Sequence, residues 1–452
     1  MINKAFEHIN KNETRFIKEL QDFLRFPSIS SQIRHKNDIV RCATWLKHHL
    51  EHIGLQAQLI KTNRHPIVWA RSKSHSSKRV IIYGHYDVQP EDPIDHWRTN
   101  PFDPIIDEGF IYARGATDDK GQLFAHIKGV ESLMKTNKQL PCEVIFLIEG
   151  EEESGGTGLS EYIKKNKTNL ATDAIVVSDT AMFDENTPAI TYGLRGLVAM
   201  EVTVRTADRE LHSGIFGGVI ANSVNVLSHI ISKCTGTDGE IQIPGFYDGI
   251  RSLQNWEKDN IKRLGFDDDK LKSETGSKQI YGEPGFSTLE KIWARPTFEV
   301  NGIAGGYTNK GIKTIIPSSA TAKISMRLVP DQDPYEAANL LTQHVNSICP
   351  DFASVEIQGP FSVTKPVLFD VDNPEIKVAW QALKHGFGAE PEYIRCGSSI
   401  PVVNTFWEEL GKPVVLMGFG LDSDGAHSPN ERFKIANFIN GAKTCAYFLV
   451  NV

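Results

Sequence analysis

Residues 79–90 read Arg-Val-Ile-Ile-Tyr-Gly-His-Tyr-Asp-Val-Gln-Pro, an apolar run that leads into a histidine and an aspartate. The run Arg79–Tyr83 is short and apolar, as buried strands are. His85 and Asp87 point to the same face if the strand geometry continues. The stretch therefore predicts a buried strand whose carboxyl end presents two polar side chains that can act together.

Further segments of the same kind lie on both sides of this one. Apolar runs predict strands at 66–70, 142–149 and 173–178, and amphipathic spacing predicts helices at 4–25 and 37–53. A further helix is predicted at 119–135, opening at Asp118-Asp119. Strands that alternate with helices indicate an α/β fold with a mostly parallel sheet flanked by helices.

The pattern changes after about residue 196. Leu197–Thr206 alternates like a half-exposed strand, and the segments after it predict the order β-α-β-β-α-β, a ferredoxin-like motif interrupted by a polar insertion at roughly 236–295. From residue 364 the prediction returns to helix, strand and helix. We therefore expect a catalytic domain formed by 1–195 and 364–452, with an inserted α+β lid and dimerisation domain at 196–363.

Length, charge and cysteine content narrow the class of protein. The chain has 452 residues, which suggests two domains, and a net charge of −7, which argues against nucleic acid or an anionic membrane as the main partner. No apolar stretch approaches the roughly 20 residues that span a bilayer. The N-terminus lacks the apolar core of a secretory signal, and the six cysteines are scattered without a CxxC pair. These features predict a cytoplasmic protein with free thiols.

Histidines and carboxylates stand beside glycines at the predicted strand ends. In open α/β sheets the carboxyl ends of the strands line the binding crevice. Two histidines and many carboxylates, without a cysteine, form a ligand set that suits zinc, manganese or cobalt. The segments are Tyr83–Pro90, Ala113–Gly121, Glu149–Gly155, Ser178–Thr180 and Gly425–Glu431.

Each of these residues also has a purely structural interpretation. His85 alone is typical of a hydrogen-bonded core histidine. Asp118-Asp119 is typical of a helix N-cap, and Glu151–Glu153 of a solvated acidic turn. Their occurrence together favours a metal site, because chance rarely ends four buried strands in a carboxylate or histidine.

The motifs HYDVQP, ARGATDDKGQ, EGEEESGG, SDT, LHSGIFGG and GAHSPNE resemble the co-catalytic zinc metallopeptidase family. That family includes aminoacylase, carnosinase, the cytosolic non-specific dipeptidases, acetylornithine deacetylase and succinyl-diaminopimelate desuccinylase. The match runs in order from about residue 15 to the C-terminus, and HYDVQP, WRTNPFDP and LHSGIFGG are most similar to the dipeptidase and carnosinase branch. The resemblance implies a metal-dependent dipeptidase for small substrates with a free C-terminal carboxylate. It also implies two divalent ions per subunit, zinc or else manganese or cobalt.

The resemblance implies a role for each residue of the predicted metal site. His85 and Asp179 bind one metal, Glu153 and His427 bind the other, and Asp118 bridges both.

Neighbouring residues have supporting roles in the same family. Glu152 is the general base, since with Glu153 turned to the metal it is free to take a proton from water. Asp87 orients His85 by accepting its second ring N–H. The Asp118–Asp119 peptide is cis in this family.

The resemblance assigns further roles outside the metal site. His212 stabilises the tetrahedral intermediate from the other subunit of a homodimer, and Arg327 holds the substrate carboxylate. Ser399 and Gly397 are further substrate contacts. On residue pattern alone, His212 also fits an ordinary loop residue and Arg327 a surface ion pair.

Two departures from the family pattern leave points open. Glu151 adds a third carboxylate of unknown role, and Gly397-Ser-Ser399 stands where relatives have Gly-Gly-Ser. An N-acyl-amino-acid amidohydrolase is the alternative activity. A non-catalytic binding protein on the same scaffold would lack ligands or the base, and a two-metal phosphoesterase would need more basic residues.

Overall fold

The structure, a computed structural model, describes residues 1–74, 76–137 and 139–452. Its contacts divide the chain into two compact units. The first consists of Met1–Tyr192, Phe369–Ile394 and Thr405–Val452, and the second of Gly193–Leu368 and Arg395–Asn404. The sequence assigned residues 395–404 to the catalytic domain, whereas their contacts group them with the second unit. The functional division at 195/196 and 363/364 stays a prediction.

The helices and strands follow one another in three stretches of the chain. The first stretch contains α1 (Ile2–Lys11), α2 (Glu13–Leu24), α3 (Lys36–Ile53), β1 (Gln56–Ile60), β2 (Ile67–Arg71), β3 (Arg79–His85), β4 (Ile105–Asp107), β5 (Phe110–Tyr112), α4 (Lys120–Thr136), β6 (Glu143–Glu149), α5 (Gly158–Lys165), β7 (Ala174–Val177) and β8 (Ala189–Leu194). The second contains β9 (Gly196–Arg205), β10 (Leu211–His212), α6 (Ser213–Phe216), α7 (Ser223–Cys234), α8 (Asn255–Leu264), α9 (Asp268–Thr275), α10 (Thr288–Ala294), β11 (Thr297–Gly305), β12 (Ile315–Ile316), β13 (Ser319–Leu328), α11 (Pro334–Ile348), β14 (Ser354–Thr364) and β15 (Val367–Leu368). The last contains α12 (Pro374–Phe387), β16 (Glu392–Cys396), α13 (Pro401–Leu410), β17 (Val414–Leu416), β18 (Arg432–Lys434) and α14 (Ile435–Asn451).

The main sheet of the first unit has a parallel centre. Seven of its nine strands lie in the order β1-β2-β6-β3-β7-β17-β8. The central strands β6, β3, β7 and β17 are parallel, whereas β1, β2 and β8, on either side of them, pair antiparallel. Strand β6 is buried along its whole length, as a strand covered on both faces must be. The predicted α/β class with a mostly parallel sheet is confirmed.

Helix α4 places the candidate site at the end of this sheet. It packs against β3 and against α1, α2 and α14, and most of its residues are buried. A small sheet, in the order β18-β5-β4, lies outside the main one, and β5 leads into the segment before α4. The segment around Asp118 therefore follows a strand of the small sheet and not of the main sheet, which the sequence did not predict.

The predicted single helix at 4–25 is wrong, because two helices meet at Asn12. The side-chain amide of Asn12 donates to the carbonyl of His8 at 2.8 Å, and the backbone of Asn12 has φ −106° and ψ 11°. An asparagine that bonds the nearby backbone competes with the helix ladder. The amphipathic pattern continued across this break, so it did not reveal it.

The core of the second unit is the predicted ferredoxin-like motif. Its sheet has the order β11-β13-β9-β14, and all neighbouring strands are antiparallel. Along β9, Val198, Met200, Val202 and Val204 are buried, as their alternation predicted, and they share a core with residues of α7 and α11. The polar insertion at 236–295 contains α8, α9 and α10. Within the described residues, no helix combines the length and apolar character needed to cross a membrane.

Candidate active site

His85, Asp118 and Asp179 come together at the carboxyl end of the parallel strands. His85 is the last residue of β3, and Asp179 follows its neighbour β7 closely. The Nε2 atom of His85 lies 3.0 Å from Oδ1 of Asp118 and 3.8 Å from Oδ2 of Asp179. One ligand atom from each residue therefore converges on a single point that can hold a metal ion.

A second cluster uses the other oxygen of Asp118. The Nε2 atom of His427 lies 2.8 Å from Oδ2 of Asp118 and 3.3 Å from Oε2 of Glu153. These three residues also form a group able to hold a metal ion. Asp118 is common to both clusters, so its carboxylate is placed to bridge two cations.

The electrostatics of the clusters fit the binding of cations. Hydrogen bonds from His427 to Asp118 and Glu153 raise the pKa of His427 to about 10. Burial, followed by the negative charge of Asp118, raises the pKa of Asp179 well above its ordinary value. Both raised pKa values mean that His427 and Asp179 retain protons, because the surrounding carboxylates concentrate negative charge there. Oxygen and imidazole donors in this arrangement suit zinc or manganese.

Asp87 contacts His85 mainly through its backbone. The Nδ1 atom of His85 lies 3.0 Å from the Asp87 carbonyl oxygen and 3.5 Å from its Oδ1. The other carboxylate oxygen of Asp87 accepts a hydrogen bond from the backbone N–H of Glu153 at 3.1 Å. Asp87 thus fixes the tautomer of His85 and the backbone of Glu153, two of the candidate ligands.

Glu152 is adjacent to both clusters but belongs to neither group of ligands. Burial raises its pKa to about 8, an effect that His85 opposes and the charge of Asp179 reinforces. A carboxylate with a pKa near neutrality is suited to take up and release a proton.

The contacts of Asp119 and Glu151 test the purely structural interpretations of their segments. Asp119 occupies the N-cap position of α4, but its side chain makes no capping hydrogen bond. Glu151 is buried, and its Oε1 accepts from Thr62 Oγ1 at 3.0 Å and from the His65 backbone N–H at 2.8 Å. The 151–153 turn is therefore not a solvated acidic turn. Glu151 fixes a neighbouring loop through these two bonds.

Three of the predicted substrate residues meet within the second unit. Arg327 Nη1 donates to Ser399 Oγ at 3.0 Å, and that hydroxyl donates to the Arg195 carbonyl at 2.6 Å. Arg195 in turn donates from Nε to the Gly397 carbonyl at 2.9 Å. Within the described residues, neither arginine has a carboxylate partner at ion-pair distance, so the surface ion pair predicted as an alternative for Arg327 is absent.

His212 stands apart from these contacts. It is exposed, and its Nδ1 accepts from the Gly214 backbone N–H at 3.0 Å. It caps the short helix α6, which carries the exposed side chain of Ile215. The ring is thus held through Nδ1, and within the described residues its Nε2 makes no hydrogen bond.

Sequence reasoning missed three residues that support the site. Gln89 Nε2 donates to Glu153 Oε2 at 2.8 Å, Arg195 holds the Gly397–Ser399 segment, and Glu431 binds the backbone before α4. Gln89 and Glu431 lie inside the motifs HYDVQP and GAHSPNE, so membership of a motif was the available signal.

A further histidine–carboxylate group lies elsewhere in the first unit. Glu19, His49 and Glu131 also bring ligand atoms together. The ammonium of Lys128 already lies among them, 2.8 Å from His49 Nε2 and 2.8 Å from Glu131 Oε2, and it contacts Glu19. A lysine therefore occupies the position that a metal would need.

A model of peptidase family M20/M25/M40 matches residues 81–451. The chain belongs to this family. Among the family's curated members, the chain is 32% identical to Cys-Gly metallodipeptidase DUG1 of Candida albicans, over 99% of this chain and 96% of that protein.

Two solved structures show the same fold at full length. Human carnosine dipeptidase 1 superposes with a TM-score of 0.85 and is 30% identical, covering 100% of this chain and 98% of that one. The metallo-carboxypeptidase Sso-CP2 of Sulfolobus solfataricus has a TM-score of 0.85 and is 34% identical, covering 96% and 98%. The resemblance to the dipeptidase and carnosinase branch is confirmed.

Proposed function

We propose that this protein is a metal-dependent dipeptidase that hydrolyses the amide bond of dipeptides or similarly small substrates with a free C-terminal carboxylate. The observation that carries this proposal is the position of Asp118, with one oxygen 3.0 Å from His85 and the other 2.8 Å from His427. An aspartate shared in this way serves a pair of divalent cations. We expect zinc, with manganese or cobalt able to replace it.

Five residues would hold the two cations: His85 and Asp179 on one side, Glu153 and His427 on the other, and Asp118 between them. When bound, such a pair lowers the pKa of a water molecule and stabilises developing negative charge.

Glu152 moves the protons of the reaction. It accepts a proton from the attacking water and delivers it to the leaving nitrogen of the amide. Its burial supports this role, because the raised pKa of its carboxyl group allows it to hold the proton between the two steps.

Arg327 binds the C-terminal carboxylate of the substrate. A guanidinium presents a planar fork of donors that matches a carboxylate, and Arg327 is without an acidic partner among the described residues. Ser399 orients this guanidinium, and Gly397 is held next to it through Arg195.

We propose further that the protein is a homodimer in which His212 of each subunit stabilises the oxyanion in the partner's site. Ile215, 69% exposed, and Val219, 80% exposed, follow His212 closely in the chain. Exposed apolar side chains next to a candidate site residue support a protein contact there. We expect the dimer to act in the cytoplasm on small peptides, without nucleic acid or membrane as a partner.

A substrate panel tests the proposed function. Metal-reconstituted protein should hydrolyse unmodified dipeptides, whereas the corresponding N-acetyl amino acids would be cleaved by an amidohydrolase. Longer peptides form a third arm, because the related Sso-CP2 is described as a carboxypeptidase. The E152Q variant should lose at least about 100-fold in kcat and keep both cations. Dipeptide turnover that survives complete removal of metal, checked by elemental analysis, would contradict the proposal.

A further inference from the structure

We infer that Glu431, outside the predicted ligand set, is a positioning residue that presets Asp118 to bridge two cations. The inference rests on the proposed two-cation function. Its basis is a set of contacts in which the carboxylate of Glu431 is buried and every hydrogen-bond partner is a donor.

Each carboxylate oxygen of Glu431 accepts two hydrogen bonds from the segment before α4. Oε2 accepts from Arg114 Nη1 at 2.9 Å and from the Gly115 backbone N–H at 2.9 Å. Oε1 accepts from the Thr117 N–H at 2.9 Å and from the Asp118 N–H at 3.1 Å. The carboxylate therefore accepts the backbone hydrogen bonds that a helix or strand would otherwise accept in this segment. One of these bonds is to the backbone of Asp118, the proposed bridging residue.

The backbone of Glu431 joins the same two segments. Its carbonyl accepts from the Ala113 N–H at 3.0 Å, and the strand pair β18–β5 begins next to it with Arg432 opposite Tyr112. His427 precedes this strand on one side and Asp118 follows its partner strand on the other. One residue thus ties together the two segments that place Asp118 and His427 within 2.8 Å of each other.

The surroundings hold Glu431 firmly. Arg114 is 1% exposed, donates from Nη2 to the Pro90 carbonyl at 3.0 Å, and lies 5.2 Å from the ring centre of Trp97. Asn430 donates to the His96 carbonyl at 2.9 Å. Gly115 has φ +82°, and a Cβ there would lie 2.6 Å from Val88 Cγ1. A tight turn around a buried anion leaves little freedom for Asp118 to move.

The second cluster depends on Glu431 more than the first. Of its ligands, Asp118 and His427 both lie on segments that Glu431 joins, whereas only Asp118 does so in the cluster with His85 and Asp179. Residues behind metal ligands typically contribute about 10–100-fold to metal affinity. We therefore expect the loss of Glu431 to weaken one cation site strongly and the other little.

The substitution Glu431→Gln tests this directly. An amide keeps the size of the side chain but offers one oxygen, so its NH₂ group faces two donors. Titration of metal-free protein with Mn²⁺ alone, followed by calorimetry and by electron paramagnetic resonance of the coupled ion pair, gives affinities independently of activity. Wild type should bind two ions. E431Q should bind the first within a few-fold of wild type and the second about 10–100-fold more weakly, without the coupled signal.

Glu143→Gln is the matched control. Glu143 is also a buried, arginine-paired glutamate, since it accepts from Arg71 at 2.6 Å and from Arg79 at 2.6 Å. It begins β6, at the opposite end of that strand from Glu149. E143Q should keep both Mn²⁺ affinities. For all variants in chelator, circular dichroism compares the secondary structure, and urea titration compares the free energy of unfolding.

The outcomes separate the inference from the proposed function. Two ions in wild type and two equally tight ions in E431Q would overturn the inference alone. Fewer than two ions in wild type would overturn the two-cation function, and the inference with it. If E431Q does not fold, E431D takes its place, with the same loss expected because the shorter side chain cannot reach all four donors. If E431D also fails to fold while E143Q folds, Glu431 is a general structural brace and the inference is wrong.

Discussion

The Nε2 atom of His427 lies 2.8 Å from Oδ2 of Asp118, although one residue precedes α4 and the other follows β17 near the C-terminus. This contact joins distant parts of the first unit at a single carboxylate. The second cluster therefore depends on two segments that lie far apart in the chain.

We predict that Glu153→Gln removes one cation and leaves the other. Glu153 contributes Oε2 to the cluster with Asp118 and His427 only, and a neutral amide is a weak ligand for a hard divalent ion. Elemental analysis after dialysis should give one equivalent of metal, against two for wild type and for E152Q. Equal loss of metal from both variants would mean that the roles of the two glutamates have been exchanged.

We predict that Arg327→Met raises KM for dipeptides and lowers kcat/KM by about 10–100-fold, because charge-assisted hydrogen bonds contribute roughly 1.5–3 kcal/mol. Dipeptide amides, which lack the carboxylate, should be affected much less. Arg251→Met is the control, since Arg251 forms an exposed pair with Asp331 at 2.8 Å. An equal loss with acids and amides would exclude Arg327 from carboxylate binding.

We predict that two nearly inactive variants complement each other in a mixed dimer. His212→Ala damages the partner's site and Glu152→Gln damages its own, so a heterodimer has one site with both lesions and one with neither. After dissociation and mixing, about half of the wild-type activity per heterodimer should return. If mass spectrometry shows subunit exchange and no activity returns, His212 does not act in trans.

We predict that His126 makes the protein less stable in acid. Ser178 Oγ donates to the Met417 carbonyl at 2.6 Å, so it accepts from His126 Nε2 at 2.6 Å, and Nδ1 of this buried ring is without a partner among the described residues. Burial lowers the pKa of His126 to about 3.

The sign follows from proton uptake by the unfolded chain. Below its ordinary pKa of about 6.5, the unfolded histidine is protonated while the folded one is not, so stability falls as the pH falls from about 6.5 towards 3. The slope from this group is about 1.4 kcal/mol per pH unit. Urea unfolding in chelator should show a flatter pH dependence for His126→Gln than for wild type. Identical slopes would contradict the assignment.

Local pattern was sufficient to predict the strands, and the family motifs singled out the five residues that the structure brings into two clusters. The apolar run before His85 and the alternation along β9 report burial directly, and the structure has both strands. These residues were recognisable because each lies in a motif beside a strand end or a glycine.

Long-range contacts account for what the sequence did not reveal. Glu431 contacts Thr117 and Asp118 only once the chain is folded, and the break at Asn12 depends on one side chain within a continuous amphipathic pattern. Likewise, Arg395 pairs with Glu257 of α8, which connects residues 395–404 to the second unit. Nothing in the local sequence of these residues specifies their partners.

The cluster of Glu19, His49 and Glu131 shows how the chain neutralises neighbouring carboxylates without a metal. There, Glu19 and Glu131 are matched by Lys128 and Arg15. Around Asp118, no lysine or arginine pairs with the clustered carboxylates among the described residues, and His85 and His427 make the contacts instead. Bound metal ions therefore supply the positive charge that these carboxylates lack. Each bound metal adds about 2.7 kcal/mol to the free energy of unfolding at a free metal concentration of 100 Kd. The melting temperature of this protein should consequently rise with the concentration of free metal around it.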